Sequence, residues 1–207
     1  MNPAPKSTAI NAELPSDTIG ITGVSAPSQA ADAIARLSEA LDAAYCAAAG
    51  VAEPSHCAEF AHLIHVALAH AAGDDMLLTP QQRESSRECY RRHLLTADPL
   101  GRYAVVALVW GPGQMSPVHA HHTWCSYAVL SGELTETLYE WNETQGCATP
   151  ARTRVRTPGA VSYTPAGMTG IHRLGAAGPG TAVSLHVYGV TGQQVATHVN
   201  DLVRVAP

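Results

Sequence analysis

Apolar residues recur at helical spacing in the first half of the chain and fall into short alternating or continuous runs in the second. The change of period comes at Asp98-Pro99-Leu100-Gly101. Residues 28–48 (SQAADAIARLSEALDAAYCAA), 54–72 and 79–95 keep the helical pattern, which predicts three helices. Beyond residue 98 come RYAVVALVW, SPVHAHHTW, SYAVLSG, LTETLYEW, RTRVRTPG, AVSYTPAG, AVSLHVYG and VATHVNDLVRV, β-branched and aromatic stretches separated by Gly and Pro. Short strands at intervals of roughly ten residues predict a sandwich or barrel. Residues 1–27 mix Pro, Ser, Thr and Gly without a sustained period and read as a loosely ordered arm. The expected organisation is one structural domain of mainly β class: the arm 1–27, a helical segment 28–98 packing on the barrel, and the barrel 99–207.

Composition narrows this picture. A chain of 207 residues, 46% hydrophobic and 14% charged, can bury a sizeable core, and its apolar runs are too short to cross a bilayer. The formal charge of −5 and scattered Lys and Arg leave no footprint for nucleic acid or for a membrane surface, so small molecules are the expected partners. The N-terminal stretch MNPAPKSTAINAELPSDTIG carries no secretory pattern, which leads to an expected cytoplasmic location. Nothing suggests a dedicated apolar interface, and a monomer is expected. Five cysteines without C-x-x-C spacing argue against a disulfide framework or a cysteine zinc site. Cys46, Cys57 and Cys89 lie in helix-like stretches and read as small buried apolar side chains. His62, His65 and His70, in the second helical stretch, read as surface or packing histidines.

Candidate chemistry begins at HAHHTWC, residues 119–125. In an extended strand His119 and His121 point the same way, presenting two imidazoles to one face, while Ala120 and His122 point to the other. Such a pair is a two-ligand metal site or an exposed histidine patch. Thr123 and Trp124 then read as barrel and pocket wall. Downstream, AVSLHVYG puts Ser184, His186 and Tyr188 on one face, a row that can form a hydrogen-bond relay or belong to an ordinary half-buried strand. Tyr90-Arg91-Arg92-His93 closes the third helical stretch. An Arg there can pair bidentately with a carboxylate or simply form a solvated basic helix end.

The spacings extend further. Gly113 precedes His119 by five intervening residues, Gly132 follows Cys125 by six, and Gly159, Pro165 and Gly167 lead into His172. These resemble the two cupin motifs, with Cys125 standing where a cupin normally carries a Glu ligand and two extra residues before His172. The ligand set this implies, His119, His121 and His172, is neutral. It leaves the charge of a divalent ion uncompensated and three adjacent octahedral positions open, which suits a substrate that brings its own anionic donor. Zinc with three histidines and water is the other chemistry open to that set.

Taken together, YRRH, VWGPGQMSPVHAH, LSGELTETLYEW, GIHRLG and AVSLHVY, from Tyr90 to Tyr188, resemble the cysteine dioxygenase, or thiol dioxygenase, family, in a bacterial-type member. The resemblance implies a cupin, jelly-roll-like β-barrel preceded by an N-terminal helical segment. It implies one Fe(II) per chain on His119, His121 and His172, and oxidation of L-cysteine by O2 to L-cysteine sulfinic acid. It further implies that Arg92, with Tyr90 beside it, holds the substrate carboxylate, that Ser184, His186 and Tyr188 form a catalytic relay, and that Cys125 and Tyr188 are the pair joined in animal members by a thioether. The chain departs from those members after Tyr188, where Gly189-Val190-Thr191 replaces prolines. The nearest alternative substrate is 3-mercaptopropionate. Relatives that prefer it tend to carry Gln at the position of Arg92, so the Arg points to cysteine. A different class, a non-oxidative metal-binding cupin acting as isomerase or ligand-binding module, rests on the general motif spacing alone.

Overall fold

The computed structural model describes residues 28–206; the expected arm, 1–27, lies outside them. Among the described residues two helices come first. Helix α1 (Gln29–Ala47) starts where the Ser28 hydroxyl accepts from the Ala31 amide, and buries Ala33, Leu37, Leu41 and Ala44 on one stripe. Helix α2 (Ala58–Ala72) buries Phe60, Ile64, Ala67, Leu68 and Ala71 and leaves His62, His65 and His70 exposed, as expected.

Ten strands follow: β1 (Arg91–Ala97), β2 (Ala104–Trp110), β3 (His119–His121), β4 (Cys125–Ser131), β5 (Leu134–Asn142), β6 (Cys147–Arg156), β7 (Val161–Thr164), β8 (Gly167–Gly175), β9 (Ala182–Tyr188) and β10 (Asn200–Leu202). They form two antiparallel five-stranded sheets, ordered β1-β2-β9-β4-β7 and β10-β3-β8-β5-β6. The helices cover the outer face of the first sheet, where Phe60, Ile64 and Leu68 share a core with Val105, Ala128, Leu185 and Val187. The inner face shares a second core with the other sheet, built from Val106, Leu108, Trp110, Tyr127 and Val129 against Leu134 and Leu174. Covered on both faces, β2 and β9 are buried at every position, which explains why they read as continuous apolar runs.

The third expected helix does not form. Residues 79–95 make one 3-10 turn at Gln81–Arg83, with the Gln82 amide donating to the Thr79 hydroxyl, and then enter β1. The cause is tertiary. Strand β2 would otherwise offer an unpaired edge, and β1 pairs with it from Arg91↔Val109 to Ala97↔Ala104. The sheet therefore begins at Arg91, before the expected boundary at residue 99, and Arg92 sits in a strand. Two cysteines also differ from expectation: Cys46 and Cys89 are exposed, the first at the end of α1 away from its buried stripe, the second in the loop before β1. Strand β8 was hidden by its glycines. At Gly175 a Cβ would collide with Gln114 and Met115 on the crossing segment, so close approach demands the residue that weakens the strand signal.

Candidate metal centre

The antiparallel pairing of β3 with β8 sets His119 opposite His172, while β3 turns His121 to the same interior face. One nitrogen from each of the three rings lies within 4.8 Å of the others, and all three residues are buried. Burial, then the charge of His172, lowers the pKa of His119 to about 4 and of His121 to about 3, so both imidazoles are neutral near pH 7. Hydrogen bonds select the tautomers. His119 Nδ1 lies 2.9 Å from the Pro117 carbonyl, which only accepts, so Nδ1 carries the hydrogen and the Nε2 lone pair is left over. His172 Nδ1 donates to Glu136 Oε1 at 2.9 Å, which leaves Nε2 as the nitrogen that an ion would take. This donor set fits a divalent first-row transition ion, whose imidazole ligands keep their second nitrogen on an acceptor.

Glu136 escaped the sequence reading. It lies on β5 with only 1% of its surface exposed, and it also accepts from Arg154 at 2.7 Å across the β5–β6 pair. Burial alone would raise its pKa, but the hydrogen bond and charge of His172 and then Arg154 outweigh it and bring the carboxyl down to about 2. A charged residue in the inward phase of an alternating strand, between Leu134 and Leu138, was the available signal. Its partners, 18 and 36 residues away, were not visible.

Beside the three histidines, β9 turns Ser184, His186 and Tyr188 inward, and the row is hydrogen-bonded. Ser184 Oγ lies 2.8 Å from His186 Nε2, and His186 Nδ1 lies 3.2 Å from Tyr188 Oη. Trp110 sets the direction of this chain. Its Nε1–H, a donor only, reaches Ser184 Oγ at 2.9 Å, and His186 Nε2 is the other side-chain partner of that buried hydroxyl among the described residues, so the serine hydrogen, which needs an acceptor, goes to His186 Nε2. His186 is kept neutral, chiefly by burial and then by the charge of His172, so its one hydrogen is on Nδ1 and donates to the phenol oxygen. The Tyr188 hydrogen is thereby free for the pocket, and burial holds the phenol well above its ordinary pKa and protonated.

Tyr90 and Arg92 line the same pocket. Arg92 Nη2 donates to Tyr90 Oη at 3.0 Å, and the Tyr90 ring stacks on Trp110 with centroids 4.4 Å apart. Among the described residues, Arg92 has no carboxylate partner. Cys125 also lines the pocket and stands opposite Tyr188 in the β4–β9 register. Burial, then the Glu136 charge, pushes its thiol far up, so the sulfur is protonated, and it is not part of the three-nitrogen cluster.

The family model for cysteine dioxygenase type I matches residues 84–198, more than half of the chain. The chain belongs to the cysteine dioxygenase family. Three solved structures are similar to parts of the chain at low identity. A protein of Thermus thermophilus is 20% identical over 55% of this chain and 96% of its own, with a TM-score of 0.42. A cupin superfamily protein of Desulfitobacterium hafniense is 16% identical over 52% and 83%, with a TM-score of 0.38. An oxalate oxidase in complex with the substrate analogue glycolate is 19% identical over 57% and 62%, with a TM-score of 0.40. This cysteine dioxygenase family member thus carries a three-histidine cluster suited to a metal ion.

Tyr90, Arg92, His119, His121, Cys125, His172, His186 and Tyr188 all line this one pocket, and Ser184 reaches it through His186. The neighbours of Cys125 divide differently from expectation. His122 is exposed beside Asp201, as anticipated, but Trp124 does not wall the pocket. It faces the helices, edge-on to Phe60 at 5.4 Å and stacked on Tyr163 at 5.8 Å, because adjacent strand residues point to opposite faces and Cys125 takes the interior one. No helix among the described residues is long and apolar enough to cross a membrane.

Proposed function

We propose that this family member is a thiol dioxygenase that oxidises L-cysteine with O2 to L-cysteine sulfinic acid, using one Fe(II) per chain held by His119, His121 and His172. The observation that carries this reading is the pairing, in one pocket, of three histidines with Arg92, a guanidinium without a protein carboxylate among the described residues. Ferrous iron, when bound, supplies adjacent open coordination positions and the redox capacity to move both atoms of O2 onto a thiol sulfur. Arg92 receives the substrate carboxylate through a charge-assisted pair, its guanidinium oriented by the Tyr90 hydroxyl that accepts from Nη2. Tyr188 directs its O–H into the pocket and donates to the substrate or to developing negative charge on oxygen. Trp110, Ser184 and His186 keep it in that orientation by the ordered donation described above. Leu108, Trp110 and Leu174 line the pocket and limit water around the reacting sulfur.

Cys125 and Tyr188 are directly opposed on neighbouring strands, so a thioether between them requires no shift of register. Its C–S bond would replace the Cys125 S–H and a Tyr188 ring C–H, with O2 as the two-electron oxidant, and would appear in intact mass as the loss of two hydrogens.

The test is oxygen consumption by the Fe(II)-loaded protein with L-cysteine and 3-mercaptopropionate in parallel. The expected result is uptake with sulfinate formation and a preference for cysteine. Preference for 3-mercaptopropionate would move the substrate assignment to the des-amino thiol, and no uptake with either would overturn the dioxygenase reading. In Arg92→Ala the KM for cysteine should rise about 10- to 100-fold, the scale of losing a charged carboxylate partner. An unchanged KM would remove Arg92 from substrate binding.

A further inference from the structure

Two of the three histidines have an evident acceptor behind them, the Pro117 carbonyl for His119 and Glu136 for His172. His121 does not: its Nδ1 is buried without a hydrogen-bond partner. A second orphan lies across the strand pair. Asn200 Oδ1 is also buried without a partner, and Asn200 is the residue directly opposite His121 in the β3–β10 ladder. Directly opposed residues of an antiparallel pair project to the same side of the sheet with Cβ atoms about 5 Å apart, and both residues line the metal pocket. The ladder is pinned next to them by the His122 amide donating to the Val199 carbonyl at 3.1 Å, and Val199 is anchored in the inter-sheet core.

We infer that Asn200 is the positioning residue of His121: its carboxamide oxygen accepts from His121 Nδ1–H, so that Nε2 presents its lone pair beside His119 and His172. The two orphans are complementary, one a donor in this tautomer and the other an acceptor. A rotation of the Asn200 side chain joins them and relieves both. Each ligand then has its own acceptor: a backbone carbonyl from the strand's own approach, a carboxylate from β5, and a carboxamide from β10. The consequence reaches beyond the segment matched by the family model, which ends at residue 198. Strand β10 is short and lies at the sheet edge, and this role gives it a reason to pair with β3 rather than leave that edge bare.

The inference rests on the three histidines being a metal site, and not on the substrate proposed above. Its test compares wild type, Asn200→Leu and Asn200→Asp, each checked for native circular dichroism and thermal unfolding, by anaerobic Co(II) affinity in competition with a chelator. Loss of an acceptor behind a ligating histidine weakens metal binding on the order of 10-fold or more, so Asn200→Leu should bind at least that much more weakly. Asn200→Asp, which keeps an oxygen in place and adds charge, should bind as tightly as wild type or tighter. Nitrogen-15 NMR of the Zn(II)-loaded, histidine-labelled protein should show a protected His121 Nδ1–H in wild type and Asn200→Asp, lost in Asn200→Leu. Wild-type affinity in Asn200→Leu, or equal weakening in both variants, would overturn the proposal. A raised KM for cysteine with unchanged metal affinity would also overturn it, by assigning Asn200 to the substrate. Failure of the protein to oxidise any thiol would sink the proposed activity while leaving these binding and NMR outcomes to stand alone.

Discussion

Replacing Glu136 by Gln removes one charge from beneath His172 while preserving shape and an acceptor. In the native protein Oε1 accepts from His172 Nδ1 at 2.9 Å and Oε2 from Arg154 at 2.7 Å, with Arg156 Nε further off at 3.8 Å. A charge-assisted hydrogen bond contributes about 1.5–3 kcal/mol and a neutral one about 1, so the His172 contact loses about 0.5–2 kcal/mol. Arg154 is 35% exposed, which holds its share to the surface scale of about 0.5–1 kcal/mol. Glu136→Gln should therefore destabilise the metal-free protein by about 1–3 kcal/mol, read by urea unfolding near pH 7. Because the carboxyl pKa is depressed to about 2 from 4.5, the difference from wild type is fully present above pH 4.5 and shrinks as pH falls towards 2. Metal affinity is the second readout. A carboxylate behind a ligating histidine raises its basicity, and its loss should weaken Co(II) binding about 10- to 100-fold near pH 7. Wild-type affinity together with wild-type stability in Glu136→Gln would refute the reasoning.

Two further outcomes concern the frame around the site. Asp98 accepts from the backbone amide and guanidinium of Arg102, which also pairs with Asp42 on α1 and lies 4.9 Å from the centre of the Tyr45 ring. Chiefly through the Arg102 hydrogen bond, its pKa is lowered to about 2, so Asp98→Asn should cost about 2–3 kcal/mol near pH 7, with the loss vanishing as acid approaches pH 2; parallel urea melts that stay equally separated at pH 7 and pH 2 would contradict this. At Gly189 a Cβ would land on the Trp124 indole nitrogen and the Thr123 hydroxyl, and Phe60 and Tyr163 leave the indole no room to withdraw. Gly189→Ala should lower stability by about 1–3 kcal/mol through overpacking, and an unchanged Tm would show that the ring can yield.

What could be read from the chain and what could not divide along the range of the interactions. His119 and His121 were legible because a period of two is a local property of an extended backbone, and the same reasoning put Ser184, His186 and Tyr188 on one face. The segment at Arg92 was misread because its apolar spacing suits a helix, and only the exposed edge of β2 makes it a strand. Helices packing on the barrel are expected from the sequence, but only the tertiary structure shows that they cover the face to which Trp124 points.

By itself the sequence determined the barrel-forming pattern, the shared face of His119 and His121 and that of Ser184, His186 and Tyr188, since each depends on covalent order and backbone period; His172 joined them through the resemblance of its spacing to a cupin motif. The tertiary structure alone decided that Glu136 stands behind His172, and which way the Ser184-His186-Tyr188 row points. Glu136 and Trp110 meet His172 and Ser184 only through strands paired across 36 and 74 residues, Asn200 comes opposite His121 across 79, and no local pattern encodes that register. A buried polar group takes whichever partner the fold brings within hydrogen-bond reach, because leaving it unpaired costs more than the bond itself returns.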